Sequence, residues 1–334
     1  MQNQNSPPWY ESDTTDISSD ICDILHYTPK DYFKELSKSV YNQDDALKQA
    51  SLFLYSHINL GVRRNILFSG ETGSGKSWLI QQMQKLITNA FNEPNLFSII
   101  DASAITSAGY RGNDVQDSYM NLRTVYFHVK HSHEREIRPI LVYDEFDKIL
   151  SPGMNPSAQG YSKMTQNNFL MALSGCTYNF TKDGKTRSIN TSDVSHIIVG
   201  SFADVIDAAK KDNHIGIGFN TSADESKHTD YSDDFFAENL QSELWGRIDS
   251  FSTLKKMDSK DYENILMNEN YIKSFEENYK VKLHLTKREI KDLAELAETK
   301  NLGCRTLNNR ISNMILESYW NQSSSEFVSS DYFD

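Results

Sequence analysis

One segment, which runs from Gly70 to Ser77 and reads G-E-T-G-S-G-K-S, limits the folds that this chain can adopt. It fits the phosphate-binding pattern G-x-x-x-x-G-K-[S/T] at every fixed position. Residues 65–69 before it are typical of a short buried strand, and apolar residues recur at helical spacing after it. In such a strand–loop–helix, backbone N–H groups and the helix N-terminus face a polyanion. The segment therefore predicts a site for nucleotide phosphates; the alternative is a glycine-rich turn that binds nothing.

The residues of this loop receive separate roles in nucleotide binding. We expect Lys76 to reach the β- and γ-phosphates and the Ser77 hydroxyl to bind Mg²⁺. The residues expected to contact the nucleotide at the loop are Gly70, Glu71, Thr72, Gly73, Ser74, Gly75, Lys76, Ser77 and Trp78.

A second signal lies about 70 residues further along, where the apolar run Ile140–Tyr143 ends in Asp144 and Glu145. After a phosphate loop, an acidic pair of this kind is typical of nucleotide hydrolysis. Asp144 is expected to hold Mg²⁺ through water, and Glu145 to orient or deprotonate the attacking water. Taken alone, Asp144 is equally a helix cap and Glu145 a solvated side chain. The spacing from the loop favours the catalytic interpretation.

The order of predicted elements indicates an α/β fold. Strands are predicted at 65–69, 96–101, 140–143, 195–201 and 251–254, with helices between them, which implies a five-stranded parallel sheet covered on both faces. After residue 254 the pattern becomes mostly helical. We therefore predict a flexible polar arm (1–27), a large ATPase domain (28–254), a small lid domain (255–322) and a flexible tail (323–334).

Charge and composition narrow the class of protein. The formal net charge of −12 argues against general binding to nucleic acid, which depends on Lys and Arg. No apolar run approaches the ~20 residues that span a bilayer. The first residues lack the basic and apolar regions of a signal peptide, so we expect a cytoplasmic protein without membrane association. Cys22, Cys176 and Cys304 are far apart, which predicts neither a disulfide framework nor a zinc site.

Residues 144–149, D-E-F-D-K-I, resemble the D-E-x-D-K-I stretch of the ClpX family of AAA+ protein unfoldases. The resemblance runs from about Thr28 to Trp320. Residues 40–43, V-Y-N-Q, resemble the V-I-G-Q segment that lines the adenine pocket in that family, which implies that Val40 and Tyr41 contact the base. The resemblance also implies an AAA+ P-loop fold with a helical lid, ATP and Mg²⁺ as ligands, and a homohexameric ring.

Two arginines match functional positions of the same family. Arg247, in a Gly-Arg pair before the fifth predicted strand, matches the arginine finger, which acts on the nucleotide of a neighbouring subunit. Arg305, in Gly303-Cys304-Arg305, resembles the G-A-R sensor-2 motif of the lid. Cations near the γ-phosphate would stabilise charge in the transition state. Without the resemblance, each is an ordinary surface arginine.

Two further loops bear on what hydrolysis is used for. Gly109-Tyr110-Arg111-Gly112 resembles the G-Y-V-G pore loop that grips substrate, with Tyr110 as the gripping aromatic residue and Arg111 making the predicted pore more basic. Ile217-Gly218-Phe219 resembles the I-G-F tripeptide that docks on the ClpP peptidase. As bare sequence, the first is a turn with an exposed tyrosine, and the second is a loop that packs on its own domain.

The chain also departs from the family pattern. No cysteine cluster precedes Thr28, so we expect the N-terminal zinc-binding domain to be absent. Asn42 replaces the glycine of V-I-G-Q, and Cys304 replaces the alanine of G-A-R. Sensor 1 is poorly marked, and Ser201 is our interpretation of it.

These features lead to one main hypothesis of function and two alternatives. The main hypothesis is an ATP-dependent unfoldase, a homohexamer that threads protein substrates through its pore and delivers them to a ClpP-like peptidase. The first alternative is a AAA+ remodelling or regulatory ATPase, for example in a mobile-element or defence complex, that acts on a fixed protein partner without a peptidase. A DNA-dependent ATPase is disfavoured by the net charge.

Overall fold

The computed structural model describes residues 24–105, 114–128, 134–150, 156–182, 185–202, 242–300, 303–321 and 326–328. In chain order the strands are β1 (Asn65–Gly70), β2 (Phe97–Asp101), β3 (Val125–His128), β4 (Glu134–Ile137), β5 (Ile140–Asp144), β6 (Thr177–Lys182), β7 (Lys185–Asn190), β8 (Ser195–Gly200), β9 (Ser250–Leu254), β10 (Lys282–His284) and β11 (Glu326–Val328). The helices are α1 (Pro29–Leu36), α2 (Asp44–Leu54), α3 (Lys76–Phe91), α4 (Asp147–Leu150), α5 (Pro156–Ser174), α6 (Ser242–Trp245), α7 (Ser259–Leu266), α8 (Glu269–Tyr279), α9 (Lys287–Lys300) and α10 (Cys304–Asn321).

A five-stranded sheet in the order β2-β5-β8-β1-β9 forms the centre of the α/β part, and all its neighbouring strands are parallel. The predicted parallel sheet is thus confirmed, with strand ends that differ by about one residue. Two antiparallel pairs, β3–β4 and β6–β7, lie outside this sheet and were not predicted. Because all five strands run in one direction, the loops at their carboxyl ends meet at one edge.

Apolar side chains cover both faces of the sheet. In β1, Ile66 and Phe68 are buried in one cluster with the helices α1, α2 and α3, whereas Leu67 is buried in a second cluster with residues of α5. In β8, Ile197 and Ile198 divide between the two clusters in the same way. This alternation is what burial of a strand on both faces requires.

The helical C-terminal part has its own cluster of buried residues, contributed by α7 to α10 and β10. Its helix α9 begins with the predicted capping box, in which the backbone N–H of Thr286 donates to Glu289 at 2.6 Å and that of Glu289 donates to the Thr286 hydroxyl at 3.3 Å. Among the described residues, none of the helices combines the length and the apolar character that crossing a membrane requires.

Two segments that we expected to be flexible are partly ordered. Residues 326–328, within the predicted tail, form β11 and pair in parallel with β10. In the predicted N-terminal arm, Ile24 is buried, and the ring of Tyr27 packs edge-on against Tyr32 at 5.3 Å. Both segments bury apolar side chains, which composition alone did not indicate.

Candidate nucleotide site

The phosphate loop lies between the carboxyl end of β1 and the start of α3. Gly75 caps α3 in a left-handed conformation (φ 95°), which glycine adopts without a steric cost. The Lys76 ammonium donates to the backbone carbonyls of Gly70 and Glu71 at 2.6 and 2.8 Å. Burial lowers the pKa of Lys76, while the carboxylates of Asp144, Asp147 and Glu145 act to raise it. The lysine therefore lies among the acidic groups that the sequence placed near the γ-phosphate.

The side chains predicted to hold Mg²⁺ are in contact. The Ser77 hydroxyl donates to Oδ2 of Asp144 at 3.2 Å, so the start of α3 meets the end of β5. A hydroxyl and a carboxylate are hard oxygen ligands, which suit Mg²⁺ bound together with phosphate oxygens and water. Within the described ranges, no group of three or more His, Cys, Asp and Glu side chains could hold a metal by itself. The donor set thus fits a metal that arrives with a nucleotide.

Glu145 follows β5 with its backbone in the left-handed region (φ 56°) and its side chain exposed. For a residue other than glycine, this conformation costs about 1–2 kcal/mol, and such strain is concentrated at functional sites. Its backbone N–H donates to Oδ1 of Asp144 at 3.0 Å, and that of Phe146 donates to the carbonyl of Val199 at 2.9 Å. These bonds turn the chain at the edge of the sheet where the phosphate loop lies.

Asp147 is a residue of this site to which sequence reasoning gave no role. It is only 2 % exposed and accepts from Ser201, from the hydroxyl at 2.8 Å and from the backbone N–H at 3.3 Å. Lys148 lies 3.5 Å from the same carboxylate. The second acid of the D-E-F-D-K-I motif thus positions the serine that we interpreted as sensor 1. The motif was the only signal for it.

The segment before α2 joins the phosphate loop to the C-terminal part. The Gln43 amide donates to the carbonyls of Ser74 and Lys255 at 3.2 and 2.8 Å and accepts from the Lys255 N–H. Asn42 has φ 52°, and its amide donates to Asp261 of α7 at 3.0 Å. Asparagine tolerates this conformation better than most residues, which explains how it replaces the glycine of the resembled motif.

A cavity of about 300 Å³ connects these elements. The residues of the predicted nucleotide site that line it are Val40, Tyr41, Thr72, Gly73, Ser74, Gly75, Lys76, Ser77, Trp78, Asp144, Glu145 and Arg305. Gly70 and Glu71 are not among the lining residues and face Lys76 through their carbonyls. The size matches the lower end of small-molecule sites, which are ~300–1,000 Å³.

The C-terminal part reaches the cavity through the start of α10. Gly303 has φ 65° and approaches Gly73 so closely that a Cβ there would lie 2.5 Å from the Gly73 carbonyl oxygen. Cys304 and Arg305 follow and line the cavity, and Arg305 is exposed. Burial raises the pKa of the Cys304 thiol to about 11, so the thiol is protonated at neutral pH. Backbone contact between two glycines thus sets the position of Arg305 relative to the phosphate loop.

Arg247 lies at the other end of the sheet. Its backbone carbonyl accepts from the side-chain amide of Asn65, the first residue of β1, at 2.8 Å, whereas the phosphate loop follows the last. At about 3.3 Å per residue, the six residues of β1 separate Arg247 from its own loop by roughly 20 Å. Its side chain is exposed and does not line the cavity. The structure therefore does not bring Arg247 together with the other predicted site residues.

Comparison with known proteins places this geometry in a family. A family model described as "AAA domain (Cdc48 subfamily)" matches residues 63–251, which is more than half of the chain. The ClpX of Borrelia duttonii (strain Ly), described as the "ATP-dependent Clp protease ATP-binding subunit ClpX", is 30% identical over 317 residues, covering 84% of this chain and 71% of the relative. The chain belongs to the ClpX-like AAA+ family. It is accordingly a nucleotide-binding ATPase.

Two further matches concern this ClpX-like chain. The ClpX of Bacteroides thetaiotaomicron is 26% identical over 324 residues, covering 86% of this chain and 76% of the relative. A solved structure, titled "Closed State CryoEM Reconstruction of Hsp104:ATPyS and FITC casein", superposes with a TM-score of 0.59 at 21% identity and covers 94% of this chain. The match spans about half (51%) of the Hsp104 chain and supports the AAA+ fold.

The two predicted protein-contacting loops lie outside the described residues. Tyr110 and Arg111 fall between residues 105 and 114, and Ile217, Gly218 and Phe219 fall between residues 202 and 242. Their roles remain predictions from the sequence.

Proposed function

We propose that this ClpX-like ATPase is a homohexameric unfoldase that uses ATP hydrolysis to thread polypeptides through a central pore. The observation that supports the ring most directly is the placement of Arg247. An exposed arginine roughly 20 Å from its own phosphate loop, by the length of β1 at ~3.3 Å per residue, is suited to act on the loop of a neighbouring copy. Every other predicted catalytic residue lies on one cavity of the same chain.

In the proposed mechanism, Lys76 binds the β- and γ-phosphates, and Ser77 and Asp144 hold Mg²⁺. When bound, this metal supplies positive charge that offsets the charge of the phosphate oxygens. Glu145 orients or deprotonates the attacking water. Since the left-handed backbone at Glu145 fixes where this carboxylate begins, its position depends little on solvent fluctuation. Arg305 links the nucleotide to the C-terminal part.

Two inactive variants test the catalytic assignment. Glu145→Gln is expected to bind ATP and assemble while hydrolysis stops, because the amide cannot accept the proton of the water. Arg247→Ala is expected to lose turnover while its own cavity stays intact. Mixing the two variants should restore hydrolysis, because Glu145→Gln subunits supply Arg247 to active cavities. Absence of restoration, with mixed rings shown by sizing in ATP, contradicts the action of Arg247 between subunits.

The coupling of hydrolysis to threading depends on Tyr110. We expect Tyr110→Ala to hydrolyse ATP but fail to unfold a tagged fluorescent reporter, and Tyr110→Phe, which keeps the ring, to unfold it. Unfolding by Tyr110→Ala at the parent rate contradicts the pore-loop role. The basic Arg111 next to it would favour acidic substrates.

Delivery to a ClpP-like peptidase depends on Ile217, Gly218 and Phe219, since exposed Ile and Phe side chains are typical of a docking site. Pull-down with a ClpP-type peptidase is expected to succeed with the parent and fail with Phe219→Ala. Equal binding by both contradicts the docking role. Failure of the parent to bind favours a remodelling ATPase that acts on a fixed protein partner.

A further inference from the structure

A continuous chain of buried hydrogen bonds connects Tyr119 to the backbone of Arg247. The Tyr119 hydroxyl lies 2.8 Å from Nε2 of His196, and Nδ1 of the same ring lies 2.9 Å from Oδ1 of Asn65. Nδ2 of Asn65 then lies 2.8 Å from the Arg247 carbonyl. The residues come from a short helix (Val115–Tyr119), β8 and β1. The chain therefore crosses the amino-terminal half of the sheet to the segment that carries Arg247.

One arrangement of protons satisfies every bond. A carbonyl only accepts, so the Asn65 amide must turn Nδ2 toward Arg247 and Oδ1 toward His196. Oδ1 also only accepts, so the proton of a neutral His196 is on Nδ1, and its Nε2 accepts from the Tyr119 hydroxyl. All three bonds thus point from Tyr119 toward Arg247. Replacement of any member leaves a neighbouring group without its bond.

The members of this chain are buried and tightly packed. Tyr119 and His196 are 0 % exposed and Asn65 is 4 % exposed. Burial lowers the pKa of His196 well below its usual range, which keeps the ring neutral. Tyr143 of β5 stacks on this ring at 6.3 Å with an interplanar angle of 4°, and Tyr119 meets its edge at 5.9 Å. A buried, fully paired polar network of this kind specifies one geometry.

Asn65 also holds the backbone after Arg247. Its backbone N–H donates to Oδ2 of Asp249 at 2.6 Å, and its carbonyl accepts from the Asp249 N–H at 2.8 Å. With the bond to the Arg247 carbonyl, three hydrogen bonds attach the turn between α6 and β9 to a single residue. The arginine side chain itself is exposed and free to face another molecule.

We propose that Tyr119, His196 and Asn65 are positioning residues for Arg247, which hold its backbone where the side chain reaches the nucleotide of the adjacent subunit. This inference rests on the proposed action of Arg247 between subunits. It assigns a catalytic purpose to a polar network that apolar side chains would replace if it served only to fill the core.

The test separates the cavity of a subunit from the arginine that the subunit supplies. His196→Leu removes the donor to Asn65, whereas His196→Asn keeps an N–H near the place of Nδ1. A 1 Å misplacement of a catalytic group costs ~100-fold in rate. We therefore expect His196→Leu to lose on the order of 10- to 100-fold in kcat with nucleotide Kd unchanged, and His196→Asn to retain most of the parent rate. Asn65→Asp, which removes the donor to the Arg247 carbonyl, is expected to match His196→Leu.

Mixing with Glu145→Gln is expected to restore turnover to both His196→Leu and Asn65→Asp, because their own cavities are intact. Parent-like kcat in these two variants, while Arg247→Ala is inactive, overturns the positioning role and leaves the proposed function in place. Loss without restoration on mixing also overturns it, because the damage then lies in the cavity or the fold. Parent-like turnover of Arg247→Ala refutes instead the proposed function on which the inference rests.

Discussion

The contact between Gly303 and Gly73 makes a quantitative prediction for Gly303→Ala. The new Cβ would lie 2.5 Å from the Gly73 carbonyl oxygen and 2.8 Å from its Cα, closer than the 3.0 Å below which Cβ contacts essentially never occur. The two backbones must therefore separate by at least about 0.5 Å, the difference between 3.0 and 2.5 Å. Neither side is a flexible side chain that could turn away.

The expected effect has two components. Gly303 has φ 65°, where alanine costs about 1–2 kcal/mol whatever its surroundings. The separation of 0.5 Å also moves the phosphate loop away from Arg305, which follows two residues later. Since a 1 Å misplacement costs ~100-fold, half of that corresponds to roughly tenfold in kcat/KM for ATP. The variant should thus lose both stability and activity.

Gly61→Ala is the matched control. Gly61 has the same φ of 65°, but a Cβ there would meet nothing within 4 Å. We expect both variants to show a similar backbone cost in thermal unfolding, with the drop in kcat/KM confined to Gly303→Ala. The assay is steady-state ATP hydrolysis at matched protein concentration, with nucleotide binding measured separately. Equal kcat/KM in the two variants would refute the steric reasoning.

Three further predictions concern other contacts. Burial lowers the pKa of His57 to about 4 from 6.5, so only the unfolded chain is protonated as the pH falls below 6.5; the free energy of unfolding should decrease by up to about 3 kcal/mol by pH 4, and His57→Gln should flatten this decrease in denaturant titrations. Asn42→Gly should leave the free energy of unfolding within about 1 kcal/mol, because the relieved backbone offsets the lost bond to Asp261, but should change the KM for ATP. Ser201→Ala should lower kcat more than KM, because it removes one bond that holds Asp147.

Each of these predictions has an outcome that contradicts it. An identical acid limb in the parent and in His57→Gln shows that the buried imidazole does not govern that pH range. An unchanged KM in Asn42→Gly shows that its bond across the two parts does not affect nucleotide binding. A parent-like kcat in Ser201→Ala excludes this serine from the function assigned to sensor 1.

The parts of the site that could be predicted from the sequence are those whose chemistry is contiguous. The phosphate loop, from Gly70 to Ser77, requires neighbouring glycines, a lysine and a hydroxyl, so its pattern is complete in eight residues. The pair Asp144 and Glu145 ends a strand, and strand order follows from alternation with helices. Since parallel strands end at the same edge, the meeting of Ser77 and Asp144 was also predictable.

The rest depends on contacts between distant positions of the chain. Asp147 and Ser201 are 54 residues apart, and His196 and Asn65 are 131 apart. A buried histidine in a strand has no local pattern that distinguishes it from other core residues. The ordered segment at residues 326–328 was missed for the same reason, because its stability comes from pairing with β10.

The length of β1 has a consequence for the enzymology of the protein. If the arginine finger and the phosphate loop occupy opposite ends of one strand, a single copy never holds a complete catalytic centre, and the concentration of active sites follows mass action. Specific activity should then fall on dilution and rise again with added protein, with a midpoint at the assembly constant rather than at the KM for ATP. A finger on the loop's own end of the sheet would make specific activity independent of concentration. The same strand therefore makes turnover a reporter of subunit association.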